Sequence, residues 1–277
     1  MSISSPLTSY LTNACPHPLA RATSHPFLAL AGRGALPKDI LSQWLSQDRL
    51  YVHNYVRFIG LLLSKIRIPT HNPNAARSTA HTAQRRAAEI LIDALCNIRR
   101  ELQFFEDVAR EFGLDLTAVS PEDGMVLSSS SAGKTATETG EIGSTTTPGA
   151  DFEECHSGPA GCCGDVESGK PTTTAGRGDP EKGCTIFFGP NRTTRAYIDM
   201  FMSAASPGVS LLEGMVVLWA TEECYLRSWR YAKGFMDDSC VSQEDADGGA
   251  LRTKLIPNWT SSEFAEFVRR IGDVVNE

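Results

Sequence analysis

The sequence predicts an all-α protein: one helical bundle that a long polar tract interrupts. Apolar residues recur at helical spacing in long segments on both sides of the tract, whereas strand-type alternation of apolar and polar residues is nowhere convincing. The few helices on either side have wide apolar faces and are too few to enclose two separate cores. A single bundle is therefore the simpler interpretation.

The polar tract divides the chain into three parts. Residues 117–183 are dominated by Ser, Thr, Gly and Pro, and they hold eleven acidic and four basic residues, which accounts for the whole net charge of −7. A segment without apolar periodicity buries too little surface to offset the entropy of ordering it. We therefore predict a disordered insertion over 117–185, between a first half of the bundle at 1–116 and a second half at 186–277.

The predicted helices follow from apolar stripes and from the residues that start and stop helices. Pro37 suits the first turn of a long helix, and Gly113 suits the end of another. A brief helical turn in "HPFLALAGRG" is expected to end at Gly32 and Gly34. The expected helices cover residues 5–14, 37–66, 77–112, 192–205, 208–235 and 261–275.

Composition argues against several classes of function. No apolar run reaches the eighteen residues of a membrane span, and the N-terminal residues lack the charged start and apolar core of a signal peptide, so we expect no membrane partner and a cytoplasmic location. Outside the tract, acidic and basic residues balance and form no evident basic patch, which argues against nucleic-acid binding. The eight cysteines are expected to stay reduced.

A zinc site in the tract is an alternative that the spacing disfavours. Zinc-ligand residue types occur there, but they form no C-x-x-C pair. No metal or other cofactor is therefore expected. The residues concerned are Cys155, His156, Cys162, Cys163 and Cys184.

An aspartate stands in the middle of the apolar face of the predicted helix 37–66. At 100° per residue, Asp48 falls at the centre of that face, with Tyr51 and Tyr55 about one turn away. Burying a lone carboxylate costs several kcal/mol unless something pairs with it. Either a buried basic or tyrosine partner satisfies Asp48, or a ligand does.

A second carboxylate repeats this pattern in the segment "SLLEGMVVLWATEECYLRSWRYAK". Glu222 lies near the centre of an apolar face, whereas Glu223 points sideways and Cys224 points almost opposite, which makes Cys224 a poor candidate for a nucleophile. Glu101 is a milder case, in line with Ile98 and Phe105. Two such acids among tyrosines and tryptophans indicate a polar pocket with aromatic walls. Such a pocket suits a flat heterocycle that offers an amine and an adjacent protonated nitrogen.

Glu263 has two interpretations. It lies at the edge of an apolar stripe in "NWTSSEFAEFV", and a capping box with Thr260 as the helix N-cap is the simpler explanation. A catalytic role is the alternative.

Several short blocks resemble the TenA family, also called thiaminase II, within the heme-oxygenase-like helical fold. The family pattern has HPF, then G-x-L-P, then Q-D-x-x-Y, and this sequence has "HPF" at 25–27, "GALP" at 34–37 and "QDRLY" at 47–51. The family has a cysteine class and a glutamate class, the latter with a W-A-x-E-x-x-Y pattern. Here that pattern reads "WATEECY" at 219–225, so the chain resembles the glutamate class.

The resemblance implies an aminopyrimidine aminohydrolase that acts on a thiamin breakdown product in thiamin salvage, without a cofactor, as a dimer or tetramer. By position, Asp48 would bind the amine and ring nitrogen of the pyrimidine. Glu222 would replace the cysteine, and Glu263 would move a proton at the leaving group. The ring site would be lined by Tyr51, Tyr197 and Tyr225.

Two other classes of function share this fold. A heme oxygenase needs an axial histidine, for which only His25 and His53 are plausible, and packing and capping is the expected role of His25. A two-metal oxidase needs histidines on several helices, yet no histidine follows His156. A pyrimidine-binding or regulatory protein that kept the pocket without the chemistry is the main alternative.

Overall fold

The computed structural model describes residues 5–67, 79–120, 126–127, 185–186, 188–236 and 244–277, with 79–81 and both short strands described by their backbone alone. Nearly all of this is helical, so the all-α prediction is confirmed. Two two-residue strands, β1 and β2, pair with each other. In chain order the elements are α1 (Leu7–Ala14), α2 (Pro16–Thr23), α3 (Pro26–Gly32), α4 (Lys38–Ser64), α5 (Thr79–Phe112), β1 (Val126–Leu127), β2 (Thr185–Ile186), α6 (Arg192–Ala204), α7 (Leu211–Lys233), a π-helix (Leu251–Leu255), α8 (Ile256–Trp259) and α9 (Ser262–Val275).

The two long helices before the tract form where the sequence predicts them. Pro37 is the N-cap of α4, and the residues that α4 buries recur at spacings of three and four. Helix α5 ends before Gly113, whose φ of 65° is in the left-handed region that favours glycine. Helix α4 packs against α5 and α6, while α7 packs against α9 and α3.

The core consists of two apolar clusters. One surrounds Trp229 and Trp259, and the other surrounds Phe58 and Phe201. Tyr51 and Ile98 are partly buried and pack against both clusters. Because these two residues also line a cavity, that cavity lies where the clusters meet.

Two helical segments were not predicted. Helix α2 begins with Pro-His-Pro, but Pro16 and Pro18 both lie in its first turn, where a missing N–H costs nothing. After a gap in the description, a π-helix continues directly into α8. Its pattern is hard to recognise because Pro257 lies inside the run and the π-helical turn breaks the 3.6-residue period.

The segments that flank the polar tract are both hydrogen-bonded to one side of α4. Before the tract, the Ser46 hydroxyl donates to the Ala118 carbonyl at 2.6 Å. After it, the Gln47 side chain donates to the Gly189 carbonyl at 3.1 Å and accepts from the Asn191 N–H at 2.9 Å. The described residues 5–120 and 188–277, on either side of the tract, belong to one compact unit. The chain therefore leaves and re-enters the helical unit at neighbouring positions on α4.

Most of the predicted insertion, and with it the cysteine and histidine set weighed for zinc, lies outside the described residues. Within the described part of the chain, no helix is long and apolar enough to cross a membrane.

We expect that the tract can be removed without loss of the helical unit. A variant that joins Ser120 to Phe188 by a short flexible linker keeps every anchor described above. Its melting temperature should stay within about 4 °C of that of the parent chain, the shift that about 1 kcal/mol produces. Thermal unfolding followed by circular dichroism measures this.

The matched control is Gln47→Ala in the full chain. This change removes the hydrogen bonds to 189–194 and should cost about 1–3 kcal/mol. Loss of soluble helical protein in the deletion variant, with Gln47→Ala well folded, would show that the tract is structural.

Candidate functional site

A cavity of about 320 Å³ lies between α4, α5, α7 and the α8–α9 segment. Its wall is mostly aromatic and aliphatic, with a small number of polar groups, as in many small-molecule sites. The polar groups include four carboxylates, each from a different helix; one of them, Glu263, is exposed, and the other three are more enclosed. The residues that line it are Asp48, Tyr51, Val52, Tyr55, Ala94, Asn97, Ile98, Arg100, Glu101, Phe104, Phe105, Glu222, Tyr225, Asn258, Trp259, Ser261, Glu263, Phe264 and Phe267.

Asp48 has a tyrosine partner and no described salt bridge. The Tyr225 hydroxyl donates to Asp48 Oδ2 at 3.1 Å. Burial raises the pKa of Asp48 to about 8; the negative charges of Glu101 and Glu222 raise it as well, and the Tyr225 hydrogen bond opposes this. Among the described residues, Asp48 is thus not part of an ion pair, one of the partners that the sequence left open.

Glu222 lies in the cavity as its helical phase predicts. Burial raises its pKa to about 7, the hydrogen bond from Tyr55 lowers it, and the charge of Glu101 raises it further. A carboxyl group with a pKa near neutrality can accept and return a proton at ordinary pH.

Glu101 is a further carboxylate of the cavity wall, and it is the milder case in the sequence. Trp259 Nε1 donates to one of its oxygens at 2.5 Å, and Asn258 Nδ2 donates to the other at 3.1 Å. Burial raises its pKa, and these two hydrogen bonds lower it. The sequence did indicate an inward position, because Glu101 shares an apolar stripe with Ile98 and Phe105. A single acid on an apolar stripe is, however, weak support for a place in a functional site.

The tyrosines differ in position. Tyr51, Tyr55 and Tyr225 line the cavity, and burial raises the pKa of each well above its usual range, so that they remain neutral hydrogen-bond donors. Tyr197 is not part of the lining; its ring packs edge-on against Tyr51, 5.5 Å between centroids, and is partly exposed. Tyr197 therefore contacts Tyr51, a residue of the cavity wall, but is not itself part of that wall. Direct contact of Tyr197 with a ligand stays a prediction.

Glu263 lies at the mouth of the cavity. Its side chain is 74% exposed and forms an ion pair with Arg100 at 3.0 Å. The expected capping box with Thr260 is wrong: Ser261 is the N-cap of α9, and its hydroxyl accepts from the Phe264 N–H at 3.2 Å. The start of the helix is one residue later than predicted, because Thr260 still belongs to the end of α8.

Cys224 lies outside the cavity lining, and His25 caps a helix. Cys224 is partly buried beside the cavity without lining it, and burial raises its thiol pKa, which disfavours the reactive thiolate. His25 is the N-cap of α3 and accepts from the Phe27 N–H.

Three indole rings form the wall behind the carboxylates. Trp229 and Trp259 lie 4.3 Å apart between centroids, and Trp44 packs edge-on against both. Tyr225 packs edge-on against Trp229 and Trp259. This packing positions the Tyr225 hydroxyl that donates to Asp48. In the described part of the chain, no three His, Cys, Asp or Glu side chains are arranged to hold a metal ion.

The chain is similar to a protein family, to a curated fungal protein and to a solved archaeal structure. Residues 16–123 match the model of the TENA/THI-4/PQQC family. A curated protein from Fusarium pseudograminearum, named "Probable transcription factor", is 26% identical over 298 residues; the alignment covers 98% of this chain, but the chain spans only 45% of that protein. A solved TenA homologue from Pyrococcus furiosus is 19% identical, with a TM-score of 0.55 and coverage of 97% of this chain and 83% of the other. The latter likeness shows a shared fold.

The free protein should lose stability as the pH rises from about 4 to about 8. The folded-state pKa of Asp48 is about 8, whereas an unfolded aspartate titrates near 3.9. Between these values the folded state holds a proton that the unfolded state has released, so a rise in pH favours unfolding. Asp48→Asn should flatten this decline and raise the melting temperature above pH 7.

The control is Glu106→Gln, which removes an acid from the exposed face of α5 and should leave the slope unchanged. Melting temperatures from pH 4.5 to pH 8.5 make the comparison. If Asp48→Asn instead loses about 3 kcal/mol at every pH, as when a buried ion pair is broken, Asp48 has a structural partner.

Proposed function

We propose that the chain, whose residues 16–123 match the model of the TENA/THI-4/PQQC family, is an aminopyrimidine aminohydrolase of thiamin salvage. The proposed substrate is an aminopyrimidine with a protonated aminomethyl arm. Water replaces the arm's nitrogen: one C–N bond breaks, one C–O bond forms, and the products are the hydroxymethylpyrimidine and an ammonium ion. Atoms and charge balance without an oxidant or reductant.

The observation that carries this proposal is the composition of the cavity wall. Besides Glu263, which pairs with Arg100 at the mouth, three carboxylates from three helices face a space of about 320 Å³ with aromatic walls, and their described hydrogen-bond partners are neutral donors. A flat ring with an amine and a protonated nitrogen supplies the cationic N–H donors that these three carboxylates lack. No histidine is among the described residues of the lining, which argues against the heme and two-metal alternatives.

Each side chain has a role in this proposal. Asp48 accepts from the amine and the protonated nitrogen of the ring, which Tyr51 and Tyr225 flank. Glu222 takes the place of the cysteine of the other class and acts as the base for the attacking water. Glu263 at the mouth moves a proton at the departing amine.

A second candidate function is supported by the Fusarium relative. That protein is named a probable transcription factor, and this chain spans 45% of its length. The cavity would then serve as a ligand-binding module of a regulatory protein. Binding would need Asp48, and no ammonium would form.

Ammonium release from aminomethylpyrimidine separates the two candidates. An enzyme should lose at least about a hundredfold in kcat in the Glu222→Gln variant, because general acid–base groups contribute 10²–10⁴-fold. Asp48→Asn should weaken binding of the ring. Cys224→Ser, on the same helix and outside the lining, should keep full activity; a dead Cys224→Ser with an active Glu222→Gln would overturn the assignment to the glutamate class.

Glu263→Gln tests the proton-transfer role at the mouth. We expect kcat to fall at least about a hundredfold with an unchanged melting temperature. The matched control is Arg100→Gln, which breaks the same ion pair but keeps the carboxylate. Equal, small effects of both variants on kcat would show that only the surface ion pair was lost.

A further inference from the structure

Glu101 is a carboxylate in the cavity wall that the proposed reaction does not use. It lies on α5, whereas Asp48 lies on α4 and Glu222 on α7. Burial raises the pKa of Asp48 and of Glu222, and the charge of Glu101 raises both further. A charged Glu101 therefore makes Asp48 and Glu222 harder to ionise. This repulsion is unfavourable, so the presence of an acid at position 101 needs an explanation.

Anchoring of the α8–α9 segment does not require this charge. Glu101 accepts from Trp259 and Asn258. Asn258 is exposed and can donate to water instead, whereas the Trp259 ring is 3% exposed and needs an acceptor from the protein. A neutral glutamine could accept from Trp259 without repelling two neighbouring carboxylates.

A metal ion does not account for the charge either. The three carboxylates influence one another electrostatically, yet no three acidic, histidine or cysteine side chains of the described residues are placed to bind one ion. Their complement is therefore a larger cation whose positive groups are spread over several atoms. Among the described lining residues, the basic one is Arg100, which is 61% exposed and pairs with Glu263 at the mouth.

We propose that Glu101 is the specificity-determining residue of this cavity: it binds the ammonium group of the ligand's arm, so that the site selects flat rings with a cationic arm over the same rings with a neutral arm. The ligand class rests on the proposed function. Asp48 is engaged by the ring and Glu222 by the attacking water, which leaves Glu101 as the enclosed carboxylate for the arm.

This arrangement also favours release of the product. Hydrolysis exchanges the charged aminomethyl arm for a neutral hydroxymethyl arm, which ends the charge-assisted interaction with Glu101. Hydrogen bonds to charged groups contribute about 1.5–3 kcal/mol, or about 10- to 150-fold in affinity. The substrate should therefore bind more tightly than the product by a factor of that order.

The test compares two probes, aminomethylpyrimidine and hydroxymethylpyrimidine, on the full chain at pH 7. Stopped-flow quenching of tryptophan fluorescence within the first turnover measures both affinities, because Trp259 lies in the cavity wall. The parent protein should prefer the aminomethyl probe by at least about tenfold. In Glu101→Gln this preference should disappear while hydroxymethylpyrimidine binds as before.

Three variants serve as controls. Glu106→Gln makes the same chemical change on the exposed face of α5 and should keep the preference. Glu101→Asp retains the charge and should keep a preference of the same sign. Asn258→Ala removes one anchor of Glu101 and should do likewise, since anchoring alone is not the source of the selection.

The outcomes separate this inference from the proposed function. Selection of the aminomethyl probe that depends on Glu101, without ammonium release, supports Glu101 and refutes the hydrolase. Ammonium release with an undiminished preference in Glu101→Gln refutes the role of Glu101 alone. If Glu101→Gln does not fold, equal affinity of the parent protein for the two probes, or binding of neither, overturns the inference.

Discussion

The repulsion among three carboxylates that share one cavity is the constraint on which the site depends. Asp48, Glu101 and Glu222 are held near one another by three separate helices, and each described hydrogen bond to them comes from a neutral donor. Without a cation, the free energy of the folded state is lowest when protons remain bound, which is why burial and mutual repulsion raise these pKa values. A cationic ligand offers the same compensation as the protons. Repulsion among the three carboxylates therefore favours the binding of a cation.

The scaffold holds these charges in place through aromatic packing. The cluster of Trp44, Trp229 and Trp259 supports Tyr225, which reaches Asp48, and it also presents the indole N–H that reaches Glu101. The π-helix lies directly before α8, which ends at Trp259, and π-helical turns are frequent at functional sites. The wider turn sets the register in which Asn258 and Trp259 follow. Two of the three acids, Asp48 and Glu101, are thus hydrogen-bonded to residues of this cluster or packed on it. Substitutions in the cluster should therefore alter the positions of both carboxylates.

A structural feature could be predicted from the sequence when many residues contribute to the pattern that indicates it. Helix α4 and the inward phase of Asp48 and Glu222 were predictable, because many apolar residues fix the phase of each long helix. Glu263 was harder, because the start of α9 rests on a choice between Thr260 and its neighbour, and an error of one residue changes the capping assignment. Position in the cavity wall was not predictable for Tyr197, since its distance from the site depends on how α6 packs against α4. Helical phase predicts which way a side chain points from its helix, whereas its distance from the cavity depends on how the helices pack.

The polar tract and the site share helix α4, and its geometry explains why they can coexist. Ser46 and Gln47 bind the segments on either side of the tract, while Asp48 faces the cavity. Consecutive helical residues differ by 100°, so Ser46 and Asp48 point in nearly opposite directions from the same turn. The entropy of closing a loop grows only slowly with its length, by about 0.6 kcal/mol for each doubling. Once both ends are fixed to a helix of 27 residues, a longer tract adds little further entropic cost. The hydrogen bonds that fix these ends lie on a different side of α4 from Asp48.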